Sequence, residues 1–245
     1  ENSVSLGTTF QQYENFYFSP SFLSSFESLK TTSKATSNLK KQEGSYFDTY
    51  FNYTINYDLR NQRYQTTEGT QTIFRQELPI VSENSEIINS FEITKYRPLV
   101  SDMIGKVSFY SKAANSLTDD DVRISKRLYV PYSKLRGFEK GKVGPKDNDS
   151  FIGGNYVSTL NFSTTLPQIL PSFQNTDFSF FIDMGNVWGV DYDSSIDDRS
   201  ALRAASGLAI DLLTPIGPMN FSFTETLYKA SSDKTESFRF NIGTS

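Results

Sequence analysis

Apolar and polar residues alternate along this chain with a period of two. Over Phe47–Tyr57 the odd positions read Phe47, Thr49, Phe51, Tyr53, Ile55 and Tyr57, and Asp48, Tyr50, Asn52, Thr54 and Asn56 fall between them. Successive side chains of a β-strand point to opposite faces, so this period sets a greasy row against a largely polar one. The same holds further on, where Tyr156, Leu160, Phe162 and Leu166 oppose Val157, Thr159, Asn161, Ser163 and Thr165. Phe178, Phe180, Ile182, Met184 and Trp188 oppose Ser179, Asp183 and Gly185, and Leu202, Leu208, Ile210 and Leu212 oppose Arg203, Gly207 and Asp211. The last segment sets Phe238, Phe240 and Ile242 against Arg239 and Asn241. The pattern predicts about a dozen strands of roughly ten residues each, near 2–10, 13–22, 46–59, 69–81, 86–97, 103–113, 127–138, 155–166, 177–188, 201–213, 218–228 and 236–245.

Two folds alternate in this way. A soluble sandwich or lipocalin-like barrel turns its apolar rows inward, and a transmembrane barrel turns them outward to lipid. Strands of roughly ten residues match a tilted crossing of a bilayer, whereas ordinary strands average about 5–6. The polar rows also carry charges, namely Asp48, Asp183, Arg203 and Arg239. Both features favour an all-β, antiparallel transmembrane barrel, with Phe51, Phe162 and Phe240 facing outward. Connections are predicted to alternate, tight at 80–87 and 214–219 and longer at 23–45, 116–125, 139–155 and 189–200, giving one rim of turns and one rim of loops. No linker divides the chain, so 1–245 reads as one barrel domain. A membrane-spanning helix is not predicted, because the longest uncharged run, Phe151–Thr176, contains Pro167 and Pro171 among many Asn, Ser and Thr. Glu1-Asn2-Ser3 opens within a strand-like pattern without the basic and apolar blocks of a signal peptide.

Composition narrows the chemistry. The 245 residues include no Cys and no His, which removes disulfides, thiol nucleophiles, imidazole bases and the usual zinc ligands. With 24 Lys and Arg against 28 Asp and Glu, the net charge of −4 lacks the basic excess of a nucleic-acid surface. No enzyme activity, cofactor or metal is expected, and an outer-membrane hydrolase barrel is the most remote alternative. The acidic runs Asp119–Asp121 and Asp191, Asp193, Asp197 and Asp198 read as solvated loops, as do Lys140, Lys142 and Lys146. Trp188, the single tryptophan, ends an apolar row and reads as a membrane-interface anchor.

Leu135-Arg136-Gly137-Phe138 resembles the Arg-Gly-aromatic motif of the inward-folded loop in the BamA superfamily of outer-membrane assembly and secretion barrels. The likeness continues, in order, toward the C-terminus. Val143-Gly144-Pro145 and Gly153-Gly154-Asn155 resemble the rest of that loop, and Phe181–Trp188 resembles the family's Asp-containing strand. Ser206-Gly207-Leu208 with Thr214–Pro218 resembles its penultimate turn, and Ser232–Thr244 is similar to its terminal strand. The match is specific over 127–245 and general over 1–126. It implies about twelve strands of a sixteen-stranded barrel, a C-terminal portion without the periplasmic POTRA domains that precede such barrels, and a terminal strand that lacks its final aromatic residue. Pro131-Tyr132 stands where relatives often carry Gly-Gly, and Asn161 where they often carry a Glu.

The resemblance also implies a site and a role. Arg136 is expected to pin the loop inside the lumen against Asp183, with Asn161 accepting a further hydrogen bond from it. Phe238, Phe240, Ile242 and Gly243 would form the strand at a lateral seam whose edge templates client barrels. The implied partners are outer-membrane lipid, unfolded outer-membrane proteins and accessory assembly lipoproteins reached through POTRA domains. A polypeptide secretion pore and a small passive diffusion channel remain alternatives.

Overall fold

A computed structural model of the chain describes all residues except 64, 101, 167–175, 193–195, 215–216 and 243–245, and omits the side chain of Leu213. Its strands are β1 (Asn2–Gly7), β2 (Phe10–Tyr13), β3 (Phe16–Leu29), β4 (Gly44–Asp58), β5 (Gly69–Val81), β6 (Glu86–Pro98) and β7 (Ile104–Ser116). After a long connection come the short β8 (Lys146–Asp147) and β9 (Ser150–Phe151), then β10 (Tyr156–Thr165), β11 (Thr176–Trp188), β12 (Arg203–Thr214), β13 (Gly217–Tyr228) and β14 (Phe238–Ile242). All but β8 and β9 belong to one 12-stranded sheet in the order β1-β3-β4-β5-β6-β7-β10-β11-β12-β13-β14, with β2 also on β3. Every pairing in it is antiparallel.

The apolar rows face outward. Phe22, Phe47, Phe91, Phe109, Phe162, Phe180, Leu208, Phe223, Phe238 and Phe240 are all exposed, and Phe51 is half-buried. The inner rows hold Ser25, Asp48, Ser90, Thr94, Ser108, Thr159, Asp183 and Ser222, all buried. This inversion is what a lipid solvent selects, since the backbone ladder satisfies its own polar groups and only the outward side chains meet hydrocarbon.

The inner face curls around a segment of the chain itself. Lys134 Nζ lies 2.5 Å from Glu92 on β6, and the carbonyl of Tyr132, two residues earlier, accepts from Arg239 on β14. Six strand intervals separate β6 from β14, which is about 29 Å in a flat sheet, while three residues reach only about 10 Å and the strand side chains, standing roughly perpendicular to a flat sheet, add little sideways reach. The sheet therefore wraps, and much of the segment 122–155 lies in its interior. The described hydrophobic core lies between this segment (Val122, Leu128, Leu135, Phe138, Val143) and the wall (Ile88, Ala114, Val157, Val187, Ala205).

Three expectations need correction. Residues 127–138 do not form a strand: Leu128 makes an isolated bridge to Gly154, Pro131 has no N–H to offer a ladder, and Tyr132–Lys134 is a short 3-10 turn. The first hairpin turns at Glu14-Asn15, with Asn15 at φ 62, so β3 runs to Leu29 and β1 and β2 share it as a partner. The tight connection 82–85 lies on the same rim as the long loops 30–43, 117–155 and 189–202, while 59–68 lengthens the opposite rim. Strand direction decides the rim, and the lengths do not divide cleanly between the two.

Candidate functional site

The motif Leu135–Phe138 crosses the interior opposite β10–β13. Arg136 Nε donates to Asp183 Oδ2 at 2.7 Å and Nη2 to Oδ1 at 2.9 Å, and its backbone N–H reaches Oδ2 at 3.1 Å. Two parallel charge-assisted bonds in one plane are the strongest pairing a guanidinium makes with a carboxylate. Asp183 is fully buried on the inner row of β11, and the Arg136 guanidinium also stacks on the Phe181 ring, 3.4 Å from its centre. Phe181 and Asp183 are two residues apart on one strand and so share a face, which makes the row itself the receptor for the arginine.

Asn161 stands directly across from Asp183 in the β10–β11 register. It does not accept from Arg136, as the sequence suggested. Its amide donates to Asp183 Oδ1 at 2.9 Å and to the Lys134 carbonyl at 2.7 Å. A carboxylate offers about four acceptor sites, and Arg136 leaves room that an amide N–H fills. Asn161 is thus a partner of Asp183 and of the loop backbone.

Gly137 has φ +87, and a Cβ built there would stand 2.9 Å from the Ala205 side chain. Both the backbone conformation and the close approach to β12 require glycine. Phe138 is buried, bridges Thr235 in antiparallel fashion and closes the motif against the segment leading into β14. Gly144, at φ +100, likewise presses on Val187, with a hypothetical Cβ 2.3 Å from Cγ1.

A second loop cation is buried more deeply, against the opposite wall, and was not anticipated. Arg123 is completely buried; it donates to Asp48 at 2.6 Å and to Glu86 at 3.1 Å, and lies 3.8 Å from Glu27. Tyr50 donates its hydroxyl to Glu86 at 3.0 Å. The signal was present: Asp48 and Glu86 fall on inward registers of β4 and β6, and buried carboxylates demand a cation. Only its source, a loop residue about forty positions from Glu86, was hidden. The acidic loops are less solvated than expected. Asp191 accepts from the Val122 N–H at 2.8 Å and the Asn155 amide at 2.6 Å, and Asp198 accepts from the Val190 N–H at 3.0 Å. Asp193 lies outside the described residues. Among the described residues, no group of three or more potential ligands is placed to hold a metal ion.

Beneath the loop, toward the opposite rim, a polar cavity of about 390 Å³ is lined by Glu92, Lys106, Lys134, Arg136 and Asp177 among others. Trp188 ends β11 at the rim of the long loops and packs its ring on Tyr156, its cross-strand partner, at 5.8 Å. Phe238, Phe240 and Ile242 project outward from β14, which pairs with β13 from Met219↔Ile242 to Phe223↔Phe238. Gly243 lies outside the described residues, as do Pro215 and Ile216 of the penultimate turn.

An antiparallel sheet with a lipid-facing apolar exterior, a charged interior and a fastened inward loop defines an integral β-barrel of the outer membrane. The chain belongs to the Omp85 superfamily, whose domain model matches residues 1–245. It is 26% identical over 148 residues to the outer membrane protein assembly factor BamA of Neorickettsia risticii, covering 58% of this chain and 20% of that protein. It is 29% identical over 139 residues to BamA of Neisseria meningitidis serogroup B, covering 45% and 17% respectively. The crystal structure of BamA from Haemophilus ducreyi lacking POTRA domains 1-3 superimposes with a TM-score of 0.81 at 22% identity, covering 97% of this chain and 52% of that one. The chain spans about a fifth of the length of these curated relatives.

Proposed function

We propose that this chain is the C-terminal part of the barrel of an outer-membrane protein assembly factor, which promotes folding and insertion of client β-barrels by offering strand edges at a lateral seam. The observation that carries this reading is the likeness to outer membrane protein assembly factors, together with the place of β14 at one end of the sheet, paired among the described residues with β13 alone. A strand at a sheet edge can pair with an incoming chain, the mode of β-augmentation. The Arg136–Asp183 pair pins the loop so that the interior is filled while the seam works, and this argues against a passive diffusion channel. Unfolded outer-membrane proteins are the clients in this reading, and accessory lipoproteins act through POTRA domains elsewhere in the full-length protein.

The absence of cysteine from residues 1–245 makes the test direct. Asn241→Cys in the full-length protein should form a disulfide with a client that carries a cysteine in its own terminal strand, and only while that client is folding. Failure to capture any folding client, together with a large open-channel conductance in the parent protein, would replace this reading with a channel. The pin is tested separately. Arg136→Ala leaves Asp183 buried without its cation, a loss of about 3–5 kcal/mol for a broken buried pair. Limited proteolysis should then cut within 123–151 while the barrel stays embedded; unchanged protection of the loop would rule the pin out.

A further inference from the structure

The loop is fastened to more than the static wall. Arg239, on the inner row of β14, is nearly completely buried, and its guanidinium is surrounded by loop backbone. One terminal nitrogen donates to the Tyr132 carbonyl, the other to the Phe138 carbonyl at 2.8 Å and the Leu135 carbonyl at 3.5 Å. These three acceptors bracket the Leu135–Phe138 motif. Nε donates to Glu236 at 2.6 Å, which neutralises the charge, and the Tyr132 ring lies 3.4 Å from the guanidinium carbon. Around this centre the backbones join as well. Glu139 N–H donates to the Lys234 carbonyl at 3.0 Å, Lys234 N–H to the Lys142 carbonyl at 3.1 Å and Glu236 N–H to the Gly137 carbonyl at 3.1 Å. The residues entering β14 are therefore held by the loop as a strand is held by a neighbour, in addition to the pairing of β14 with β13.

We propose that Arg239 is a positioning residue that couples docking of the inward loop to the seat of the last strand, so that displacing either one releases the other. A guanidinium whose carbonyl acceptors all lie on the loop cannot leave with β14 without uncapping three of them. Conversely, loop withdrawal strips the guanidinium of its three carbonyl acceptors and leaves it only Glu236. The biological meaning of the coupling rests on the templating role of β14 proposed above, but its physical existence does not.

Hydrogen exchange of the full-length protein in lipid nanodiscs tests the coupling. In Arg239→Met the amides of 135–142 and of 234–242 should both exchange at least about tenfold faster, the size of one lost charge-assisted hydrogen bond, with β4–β6 unchanged. Arg239→Lys should recover part of the protection in both segments, since an ammonium still donates but lacks the planar fork. A Glu139→Cys/Lys234→Cys pair added to Arg239→Lys should, when oxidised, restore both segments together and lose both on reduction. If Arg239→Met does not insert, the same paired comparison is made between Arg239→Lys and the parent. Loosening of one segment without the other, no change in either, or equal loosening of β4–β6 would each overturn the coupling. Client capture at Asn241→Cys is scored independently, so its failure with coupled exchange removes the templating reading alone.

Discussion

At the scale of single residues, position in the register decides chemistry. Asp183 could be assigned inward from alternation alone, and Arg136 could be matched to it through the motif; their bidentate geometry adds what neither carries in sequence. Gly137 gives a test that separates shape from backbone strain. Gly137→Ala should release the loop to protease, and Ala205→Gly beside it should recover only part of the protection, because removing the 2.9 Å clash leaves φ +87 in place. Full recovery would mean that the backbone conformation is not under constraint. Asp121 supplies a pH dependence. Burial and the neighbouring Asp191 raise its carboxyl above the ordinary range, with Arg127 and Lys41 opposing. The docked loop therefore holds this proton more tightly than the released loop. Its contribution to docking is complete below the ordinary carboxylate value of about 3.9 and is lost as pH climbs through the raised value. Asp121→Asn should tighten docking near neutral pH and flatten that acid-side change; identical protease protection of variant and parent from about pH 4 to about pH 7 would contradict it.

At the scale of elements, each strand is amphipathic in the inverted sense, and the cost of a charge depends on which row receives it. Phe162 and Ser163 are neighbours on β10 that face opposite ways. Phe162→Arg should destabilise the folded barrel by about 2–4 kcal/mol near the bilayer midplane, and Ser163→Arg by much less because it enters the polar interior. Urea titration of folding into vesicles measures both; equal effects would contradict the assignment of faces. The exception among the elements is 127–138, whose alternation looks like a strand but whose hydrogen bonds go to wall side chains and to the β14 approach. An interior segment surrounded by a barrel wall meets the same alternation of apolar and polar neighbours without joining the ladder.

At the scale of the whole molecule, the loop stands in for the core that an inverted barrel lacks. Its apolar residues meet the few inward-facing wall aliphatics, and its arginines neutralise carboxylates on both sides, Arg123 toward β4 and β6 and Arg136 toward β11. Deleting 123–151 should convert a poorly conducting lumen into an open channel of lower stability, since the cavity below the loop is already polar and the loop supplies core contacts and cations. Single-channel recording distinguishes the two states, and an unchanged conductance would show that the loop does not obstruct the path. Arg123→Met, which leaves Asp48 and Glu86 buried without their cation, should lower stability by about 3–5 kcal/mol in the same urea titration.

Although the strand read at 127–138 and the bounds of the first hairpin did not hold, the sequence by its own pattern set most of the strands, the outward direction of the apolar rows, the inward place of Asp183 and the motif that pairs with it. These follow from a local rule, the two-residue period, and from a contiguous motif. The packing of loop against wall was needed to show that Arg123 answers Asp48 and Glu86, that Asn161 donates to Asp183, and that Arg239 closes on the loop carbonyls. Those contacts join residues up to about a hundred positions apart, and which cation meets which carboxylate depends on how the sheet curls and where the loop enters it. Alternation says which way a side chain points and leaves open what it meets on the other side of the lumen.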